Sequence, residues 1–540
     1  MSNDDRRDGD HSRDGDRRGG AGRGRDQSGG RQGRGSERLG KGSHGASDEG
    51  RDAAGRHRGA ARLRGDASRT NLAPSERRRS TDPARLVAFD VLEQVETNDA
   101  YANLSLPVRL DRARLHGRDA GFATELTYGT LRQQGLYDAI LARCVDRDLR
   151  TVDPALLVVL RLGAHQLLGM RVPPHAAVSQ TVALARERIG AGPGQLVNAV
   201  LRKVSAKERD EWLAELLAEA EDDVVRLSLE YSHPAWIVRA LRGALIVDGR
   251  TAAELPDLLA ADNEAPAVTF VARPGLLTTD ELLADVPRGK TTRFSPVGVT
   301  ATGVSPSDVR SVRRGAAGVQ DEGSQLVALA LAAAPIDGPD ERWLDMCAGP
   351  GGKTALLAAI AAERGARVLA NEAQAHRTEL VRRNLSAVDP VAIEAVVTGD
   401  GRLIGEDEPA SFDRILVDAP CTGLGALRRR PESRWRKKVS DLPELTALQG
   451  DLLASALAAV RVGGVVAYVT CSPHHAETRL VVEDALRGRD DFELMDAPAA
   501  LQRVVATGAD LELGDGPHAQ LWPHAHGTDA MHLTLLRRIG

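Results

Sequence analysis

The hydrophobic positions of residues 81–210 recur at helical spacing. Asp82-Pro83 and Asp153-Pro154 each precede a run of leucines and valines three and four residues apart. An aspartate N-cap followed by proline in the first turn is typical of a helix start, and the apolar spacing indicates one buried face. Similar patterns cover 118–146 and 175–189. We predict an all-helical domain over 81–210.

A different pattern, of short apolar runs alternating with helical stretches, covers residues 319–540. The helical stretches include 353–364, 374–387 and 446–460. The strand-like runs begin at Trp343, Arg367, Glu394, Asp413, Val465 and His532. This alternation predicts a parallel, doubly wound α/β sheet of the Rossmann-like kind, which binds ligands at the carboxyl ends of its strands.

Between these two regions, residues 211–318 mix helical patterns with strand-like segments such as Ala267–Ala272. We predict a small α/β connecting domain there. Residues 1–78 are mostly Gly, Arg, Asp and Ser with no aromatic residue, so we predict a disordered tail. Its Arg-Gly pattern suits loose RNA contact, and a merely solubilising tail is an equal alternative.

Charge and cysteine content narrow the class of protein. Residues 1–80 hold 20 Lys and Arg against 13 Asp and Glu, a net charge of +7. Since the whole chain has a net charge of −5, residues 81–540 carry −12. Nucleic-acid contact must then come from local basic patches. Four scattered cysteines do not form a disulfide framework or a zinc module, and no metal site is expected. No apolar run is long enough for a membrane span, which favours a cytoplasmic protein.

A glycine-rich turn follows the first predicted strand of the 319–540 region. Its sequence, Asp345-Met-Cys-Ala-Gly-Pro-Gly-Gly-Lys-Thr354, lacks the spacing of a nucleotide triphosphate loop and of a dinucleotide loop. The next strand ends at Glu372, where a carboxylate accepts hydrogen bonds from ribose hydroxyls, and the third places Asp400 at the same edge. Three polar groups at one edge predict a cofactor site.

Two cysteines follow the fourth and fifth strands of that sheet. Cys421 lies in Asp418-Ala-Pro-Cys421, and Cys471 lies in Thr470-Cys-Ser. A single buried cysteine is usually inert packing. A pair beside a cofactor edge fits methylation of cytosine C5, because a thiolate that adds to C6 makes C5 nucleophilic. Asp418 is placed to contact the N3 edge of the base, and a second thiol or base must assist release.

These motifs resemble motifs I, IV and VI of the RNA cytosine-C5 methyltransferases, and Val319–Gln325 is also typical of that family. The chain is most similar to the RsmB/Sun branch, whose members methylate 16S ribosomal RNA and carry a NusB-like RNA-binding domain. The resemblance implies S-adenosylmethionine as cofactor, Cys471 as nucleophile and Cys421 as the thiol that assists release. It places Lys353 near the active site. The implied cofactor pocket consists of Cys347, Ala348, Gly349, Pro350, Gly351, Gly352, Lys353, Glu372, Asp400 and Asp418.

An arginine-rich loop after the fourth strand resembles the corresponding loop of the family. Arg428, Arg429, Arg430 and Arg434 are its candidate RNA contacts, with Trp435 as a stacking or packing residue. A solvated charge run is the plainer alternative. The family's Asp-Gly-Phe-Phe segment is replaced here by residues 527–532, Gly-Thr-Asp-Ala-Met-His, so base positioning at that edge is expected to differ.

Three other functions compete with methylation of 16S ribosomal RNA. Transfer RNA is the closest alternative substrate for the same chemistry. A non-catalytic NusB-like antitermination or assembly factor fits the helical domain, but it has no need of Cys421, Cys471 and Asp418. A small-molecule methyltransferase leaves the helical domain and the arginine loop unexplained. We expect a monomer that binds RNA and no membrane.

Overall fold

The computed structural model describes residues 81–540, and the predicted tail over 1–78 lies outside them. The amino-terminal part of the described chain is helical, as the sequence predicted. The side chains of Asp82 and Asp153 cap their helices by accepting from the backbone N–H of Ala84 and Leu156. The helices are α1 (Pro83–Asn98), α2 (Ala102–Arg112), α3 (Gly117–Arg132), α4 (Gln134–Cys144), α5 (Pro154–Leu168), α6 (Pro174–Arg188) and α7 (Ala191–Val204).

Four more helices and a small sheet follow. The helices are α8 (Arg209–Ala218), α9 (Asp223–Glu230), α10 (Ala235–Val247) and α11 (Leu255–Ala261). The strands are β1 (Val268–Ala272), β2 (Lys290–Thr291), β3 (Gly298–Ala301) and β4 (Ala317–Val319), with α12 (Thr279–Asp285) and α13 (Arg310–Arg313) between them. They pair antiparallel in the order β2-β3-β1-β4.

The carboxyl-terminal part contains the large sheet. Its strands are β5 (Arg342–Asp345), β6 (Arg367–Glu372), β7 (Ile393–Thr398), β8 (Phe412–Asp418), β9 (Val460–Thr470), β10 (Phe492–Leu494), β11 (His518–Gln520) and β12 (His532–Arg538). Its helices are α14 (Glu322–Ala333), α15 (Gly352–Arg364), α16 (Ala375–Leu385), α17 (Ile404–Asp407), α18 (Ser433–Arg436), α19 (Leu442–Ala459), α20 (Arg479–Ala485), α21 (Ala497–Gln502) and α22 (Pro523–His526).

The strand order is β10-β12-β9-β8-β5-β6-β7, and β11 pairs with β12. The predicted parallel arrangement is confirmed for β7, β6, β5, β8 and β9. It is wrong for β12, which runs antiparallel to β9. A parallel neighbour needs a long crossover connection, whereas only a short segment joins β11 to β12, so the chain reverses and β12 pairs antiparallel with β11.

Hydrophobic side chains cover both faces of the large sheet. Trp343 and Leu416 belong to the core on one face, whereas Leu344 and Val417 belong to the core on the other. Because both faces are buried, only the strand ends are open to a ligand, and the loops after β5, β6, β7, β8 and β9 meet at one edge. Among residues 81–540, no helix has the length and apolar character needed to cross a membrane.

Candidate active site

The two cysteines predicted to carry the chemistry lie side by side. Cys471 directly follows β9, and Cys421 follows β8 after the Asp418-Ala-Pro segment. The parallel register pairs Asp418 with Val469, and the N–H of Gly425 donates to the carbonyl of Cys471 at 2.9 Å. The Sγ atoms are 3.4 Å apart, within hydrogen-bond distance for thiols. The structure therefore brings both thiols together at the carboxyl ends of β8 and β9.

The surroundings of the two thiols shift their pKa values in opposite directions. The hydrogen bond from Cys421 lowers the pKa of Cys471; burial and Asp418 oppose this shift, whereas Arg430 and Lys353 favour it. The same hydrogen bond raises the pKa of Cys421 well above its ordinary value, and burial and Glu477 add to that rise. Cys471 is therefore the more acidic thiol of the pair, mainly because Cys421 donates to it and because Arg430 and Lys353 lie nearby.

An ion pair lies beside the thiols. Lys353 Nζ, at the start of α15, donates to Asp418 Oδ2 over 2.8 Å. Burial lowers the pKa of Lys353, but Asp418 more than offsets it and leaves the pKa above its ordinary value. The ammonium group thus stays charged next to Cys471, where it favours a thiolate.

The glycine-rich turn joins β5 to α15 and is fixed from several sides. Gly351 has φ +107°, a conformation that suits glycine. Gly349 N–H donates to Glu372 Oε2 over 3.0 Å, and a Cβ on Gly349 would lie 2.2 Å from that oxygen. Thr354 Oγ1 donates to Asp345 Oδ2, and the carbonyl of Pro350 accepts from Asn384. Hydrogen bonds to neighbouring segments therefore hold the backbone of this turn rigidly in place.

The residues at this edge fit a ligand rich in hydrogen-bond donors. Glu372 is buried and Asp400 is exposed. Each is also paired with an arginine of the following segment, Glu372 with Arg377 and Asp400 with Arg402. Buried Asp345 Oδ1 and Gln320 Oε1 have no hydrogen-bond partner among the described residues. Ribose hydroxyls, an ammonium group or an adenine amino group would satisfy such acceptors.

The remaining cysteine of the turn has a different character. The side chain of Cys347 packs against the core that contains Leu344 and Val417. Burial, with Asp345 and Asp418 nearby, raises the pKa of the Cys347 thiol. The side chain of Cys347 therefore packs against the core, and its pKa is shifted in the direction that disfavours a thiolate. The backbone N–H of the next residue, Ala348, donates to the carbonyl of Asn371.

The sequence analysis missed Glu477, which connects the two cysteine loops. Its carboxylate is fully buried and accepts from Thr422 N–H at 2.7 Å and from Ser472 Oγ at 2.7 Å. Thr422 follows Cys421, and Ser472 follows Cys471. Gln449 Nε2, on α19, donates to the same carboxylate and to the carbonyl of Pro420. The sequence shows only an acidic residue after a strand, which is also typical of a helix start.

Asp529 is a second site residue that the sequence analysis did not identify. It lies in the segment that stands in place of Asp-Gly-Phe-Phe. It is fully buried, and its carboxylate accepts from Arg428 and Arg429. Its backbone N–H donates to Asp321, a second buried carboxylate that pairs with Arg428. Two of the four predicted RNA contacts are therefore held by buried carboxylates. Met531 and His532, which replace the aromatic pair, are buried as well.

The prediction that Arg434 contacts RNA is contradicted by its burial. Arg434 is 0% exposed and donates to the carbonyls of Arg132, Ser232 and Asp262 and to Asn263 Oδ1. Trp435 packs over Gly135 of α4, and its Nε1 donates to the carbonyl of Leu131 at 3.4 Å. The second half of the arginine loop thus binds the helical part of the chain.

Arg430 differs from its three neighbours. It is half-buried, its guanidinium lies 5.3 Å from the ring centre of Tyr101, and its charge lowers the pKa of Cys471. Its positive charge therefore acts on Cys471. In the described structure, no buried carboxylate forms an ion pair with Arg430, unlike Arg428 and Arg429. It remains a predicted RNA contact.

Comparison with known proteins shows the family to which this chain belongs. The family described as 16S rRNA methyltransferase RsmB/F matches residues 331–537, and the NusB family matches residues 82–206. Ribosomal RNA small subunit methyltransferase B of Pseudomonas putida (strain KT2440) is 32% identical over 84% of this chain and 98% of its own length. The chain belongs to the RsmB/F methyltransferase family.

Other members and neighbours extend this comparison. A protein of Mycobacterium tuberculosis (strain H37Rv) that carries a provisional methyltransferase name is 49% identical over 86% of this chain and 98% of its own length. The crystal structure of the protein PH0851 superposes with a TM-score of 0.70 at 20% identity, over 84% of this chain and 99% of that one. The latter likeness concerns the fold alone. As a member of the RsmB/F family with a NusB-family region, this chain is an RNA methyltransferase.

Proposed function

We propose that this enzyme transfers a methyl group from S-adenosylmethionine to C5 of a cytosine in 16S ribosomal RNA, through a covalent bond between Cys471 and C6 of the base. The observation that supports the chemistry most strongly is the pair of thiols 3.4 Å apart, whose pKa values are shifted in opposite directions, down for Cys471 and up for Cys421. The ribosomal substrate is inferred from the family description and from the name of the P. putida relative.

The cofactor's place in this proposal is the rigid turn and the strand-end carboxylates. Residues 347–353 would hold its amino acid and ribose parts, and Glu372, Asp400 and Asp418 would complete the pocket. When bound, S-adenosylmethionine would supply the methyl group to C5, with cleavage of its S–CH3 bond, and S-adenosylhomocysteine would be left. The unpartnered acceptors Asp345 Oδ1 and Gln320 Oε1 support a ligand with several donors at this edge.

Cys471 begins the reaction on the base. Its Sγ forms a bond to C6, the C5=C6 electron pair shifts to form C4=C5, and the C4=N3 pair moves onto N3. C5 is then the carbon of an enamine and becomes nucleophilic. N3 gains negative charge in this step, and the Asp418–Lys353 pair would supply the proton or hydrogen bond that N3 then needs.

Cys421 completes the reaction after C5 carries the methyl group. A base must remove the C5 proton, and the electrons of that C–H bond re-form C5=C6 as the C6–S bond breaks. Cys421, whose thiol contacts Cys471, assists this elimination, and Sγ of Cys471 leaves as a thiolate stabilised by the same hydrogen bond. Without Cys421, the adduct should persist.

The test compares wild type, Cys421→Ala, Cys471→Ala and, as a matched control, Cys144→Ala. Each is incubated with S-adenosylmethionine and either a 16S ribosomal RNA transcript or unmodified transfer RNA, then run on a denaturing gel. We expect methylation by wild type and Cys144→Ala, a stable protein–RNA adduct with Cys421→Ala, and neither methylation nor adduct with Cys471→Ala. An adduct formed by Cys471→Ala would reverse the two roles. Reaction with transfer RNA but not with the 16S transcript would mean that transfer RNA is the substrate. No reaction by wild type with either RNA would refute the proposal.

A further inference from the structure

A cavity of about 370 Å³ lies between the small sheet and α16, away from the two cysteines in sequence. Ten residues line it, among them Arg273, Arg313 and Arg383, and none of the ten is an aspartate or glutamate. Its volume is at the lower end of the range of about 300–1,000 Å³ for small-ligand sites. We name it the arginine pocket.

Arg273 is the deepest of the three arginines. It is 2% exposed, and its guanidinium donates to the carbonyls of Gly315 and Asn384, at 2.5 and 2.7 Å. Its Nε has no partner among the described residues, and no carboxylate there forms an ion pair with it. Burial alone lowers the pKa of Arg273 to about 10. It still carries its positive charge at neutral pH.

The other buried arginines of the described chain have a carboxylate nearby. Arg132 and Arg434 form no ion pair; burial lowers their pKa, but the charges of Glu125 and Asp262 oppose this, whereas burial is the one influence on the pKa of Arg273. The remaining three form ion pairs. Arg85 pairs with Asp82, Arg161 with Asp138 and Arg414 with Asp340. A buried cation without a counter-ion is costly, so the exception at Arg273 points to a negative group that this pocket receives from outside.

The two outer arginines complete a positive rim. Arg313 is exposed and donates to the carbonyl of Ser307 at 2.7 Å. Arg383 is exposed and lies 3.4 Å from Glu379, whose side chain is 52% exposed. Glu379 is the one carboxylate at this rim in the described structure that pairs with a lining arginine, and such an exposed pair is weak enough to yield to another anion.

The pocket wall also contacts the cofactor turn. Asn384, which lines the pocket, donates from Nδ2 to the carbonyl of Pro350 over 2.8 Å. A Cβ on Gly351 would lie 3.0 Å from the Cβ of Asn384. An occupant of the pocket therefore sits one side chain away from the turn that precedes Lys353.

We propose that the arginine pocket binds a backbone phosphate of the substrate RNA. Guanidinium groups match phosphate oxygens in a planar, two-pronged geometry, and contacts of this kind fix the position of a nucleic acid without reading its sequence. The proposal rests on the RNA methyltransferase function above. It gives the enzyme a phosphate contact beside its cofactor turn, distinct from the arginine loop, which is largely held internally.

The test uses Arg313→Ala/Arg383→Ala and, separately, Arg273→Lys, which keeps the charge but loses the fork. Arg487→Ala is the matched control, because Arg487 is an exposed arginine in the turn after α20, pairs with Asp484 and does not line the pocket. The affinity of each protein for a 16S ribosomal RNA transcript is measured from 50 to 300 mM salt, without cofactor. Methyl transfer by wild type is measured in parallel.

For the double variant we expect about 10-fold weaker binding at low salt and a salt slope smaller by about 1, with Arg273→Lys intermediate and Arg487→Ala unchanged. Equal affinity and slope in wild type and double variant would overturn the proposal while leaving the methylation result intact. If wild type binds the transcript but does not methylate it, the proposed function fails and the comparison of slopes still decides the pocket. If inorganic phosphate protects wild type but not the double variant from heat, and RNA affinity is equal, the pocket takes a free anion and the RNA proposal is wrong. Failure of wild type to bind the transcript would also refute it.

Discussion

Cys421 Sγ and Cys471 Sγ lie 3.4 Å apart, although 50 residues separate them in the chain. Two features bring them together. Parallel strands β8 and β9 end side by side, and Glu477 accepts hydrogen bonds from the residue after each cysteine. The spacing of the thiols is therefore set by the sheet and by one buried carboxylate, and the hydrogen bond between them shifts the pKa of Cys471 down and that of Cys421 up.

The first prediction concerns the pKa of Cys471. Cys421→Ala removes the hydrogen bond that lowers it, so the alkylation midpoint of Cys471 should move to higher pH and its reaction at pH 7 should slow. Cys421→Ser keeps a donor and should shift the midpoint less. Site-resolved iodoacetamide labelling by mass spectrometry between pH 6 and 10 measures this. The same midpoint in all three proteins would show that Cys421 does not tune Cys471.

The second prediction concerns Glu477 as a positioning residue. Glu477→Gln keeps the shape but replaces an acceptor oxygen with a donor where Thr422 N–H and two hydroxyls converge. We expect kcat for methyl transfer to fall about 10- to 100-fold, because small displacements of reacting groups are costly, with little change in cofactor affinity. Unfolding free energy should fall by about 1–3 kcal/mol.

Glu483→Gln is the matched control for Glu477, since Glu483 is an exposed glutamate on α20. It should leave kcat, stability and the labelling rate of Cys471 unchanged. If Glu477→Gln lowers stability while Cys471 labelling and kcat stay at wild-type values, Glu477 is structural only.

Much of the fold follows from local patterns, and so does the place of the cysteines. Asp153-Pro154 starts α5 as predicted, because capping is decided within four residues of chain. Cys421 and Cys471 were expected at neighbouring strand ends, because short strands alternating with helices align their carboxyl ends. The antiparallel direction of β12 was not predicted, since apolar periodicity is the same for both strand directions.

The residues that were misread or missed depend on contacts between distant parts of the chain. Arg434 reads as a surface charge in sequence, yet its acceptors lie 171 to 302 residues away. Glu477 receives a hydrogen bond from Thr422, 55 residues earlier. A charged residue that is buried against carbonyls has the same local sequence as a solvated one, so only the tertiary structure separates them.

The third prediction concerns pH and Asp345. Burial, with Asp418 nearby, raises the pKa of Asp345 from 3.8 to about 7 in the folded enzyme. Between these values the unfolded chain ionises while the folded one keeps its proton, so wild type loses stability as pH rises from about 4 to 7. Asp345→Asn has no such proton, so its unfolding free energy should rise relative to that of wild type by up to about 4 kcal/mol across that window. Above pH 7 the difference between the two proteins should stay constant.

Urea unfolding at pH 4.5, 6.0 and 8.0 tests this prediction. Exposed Asp407 provides the control, and Asp407→Asn should follow the wild-type curve at every pH. A constant difference between wild type and Asp345→Asn at all three pH values would mean that Asp345 ionises normally in the folded state.

The last prediction concerns the contact between the arginine loop and the helical part of the chain. A Cβ on Gly135 would lie 2.5 Å from Cη2 of Trp435, so Gly135→Ala must displace the indole. Gly121 of α3 is a helical glycine with nothing within 4 Å of such a Cβ. Alanine favours a helix over glycine by up to about 1 kcal/mol, so local propensity alone predicts that both substitutions stabilise the protein.

We expect opposite results in urea unfolding: Gly121→Ala unchanged or slightly more stable, and Gly135→Ala less stable by about 1–3 kcal/mol, as in overpacked cores. Arg430, whose charge lowers the pKa of Cys471, lies five residues before Trp435 in the same loop. Methyl transfer should therefore slow in Gly135→Ala and not in Gly121→Ala. Equal gains in stability would mean that Trp435 leaves Gly135 at no cost, and the helical part would then not hold the loop that carries Arg430.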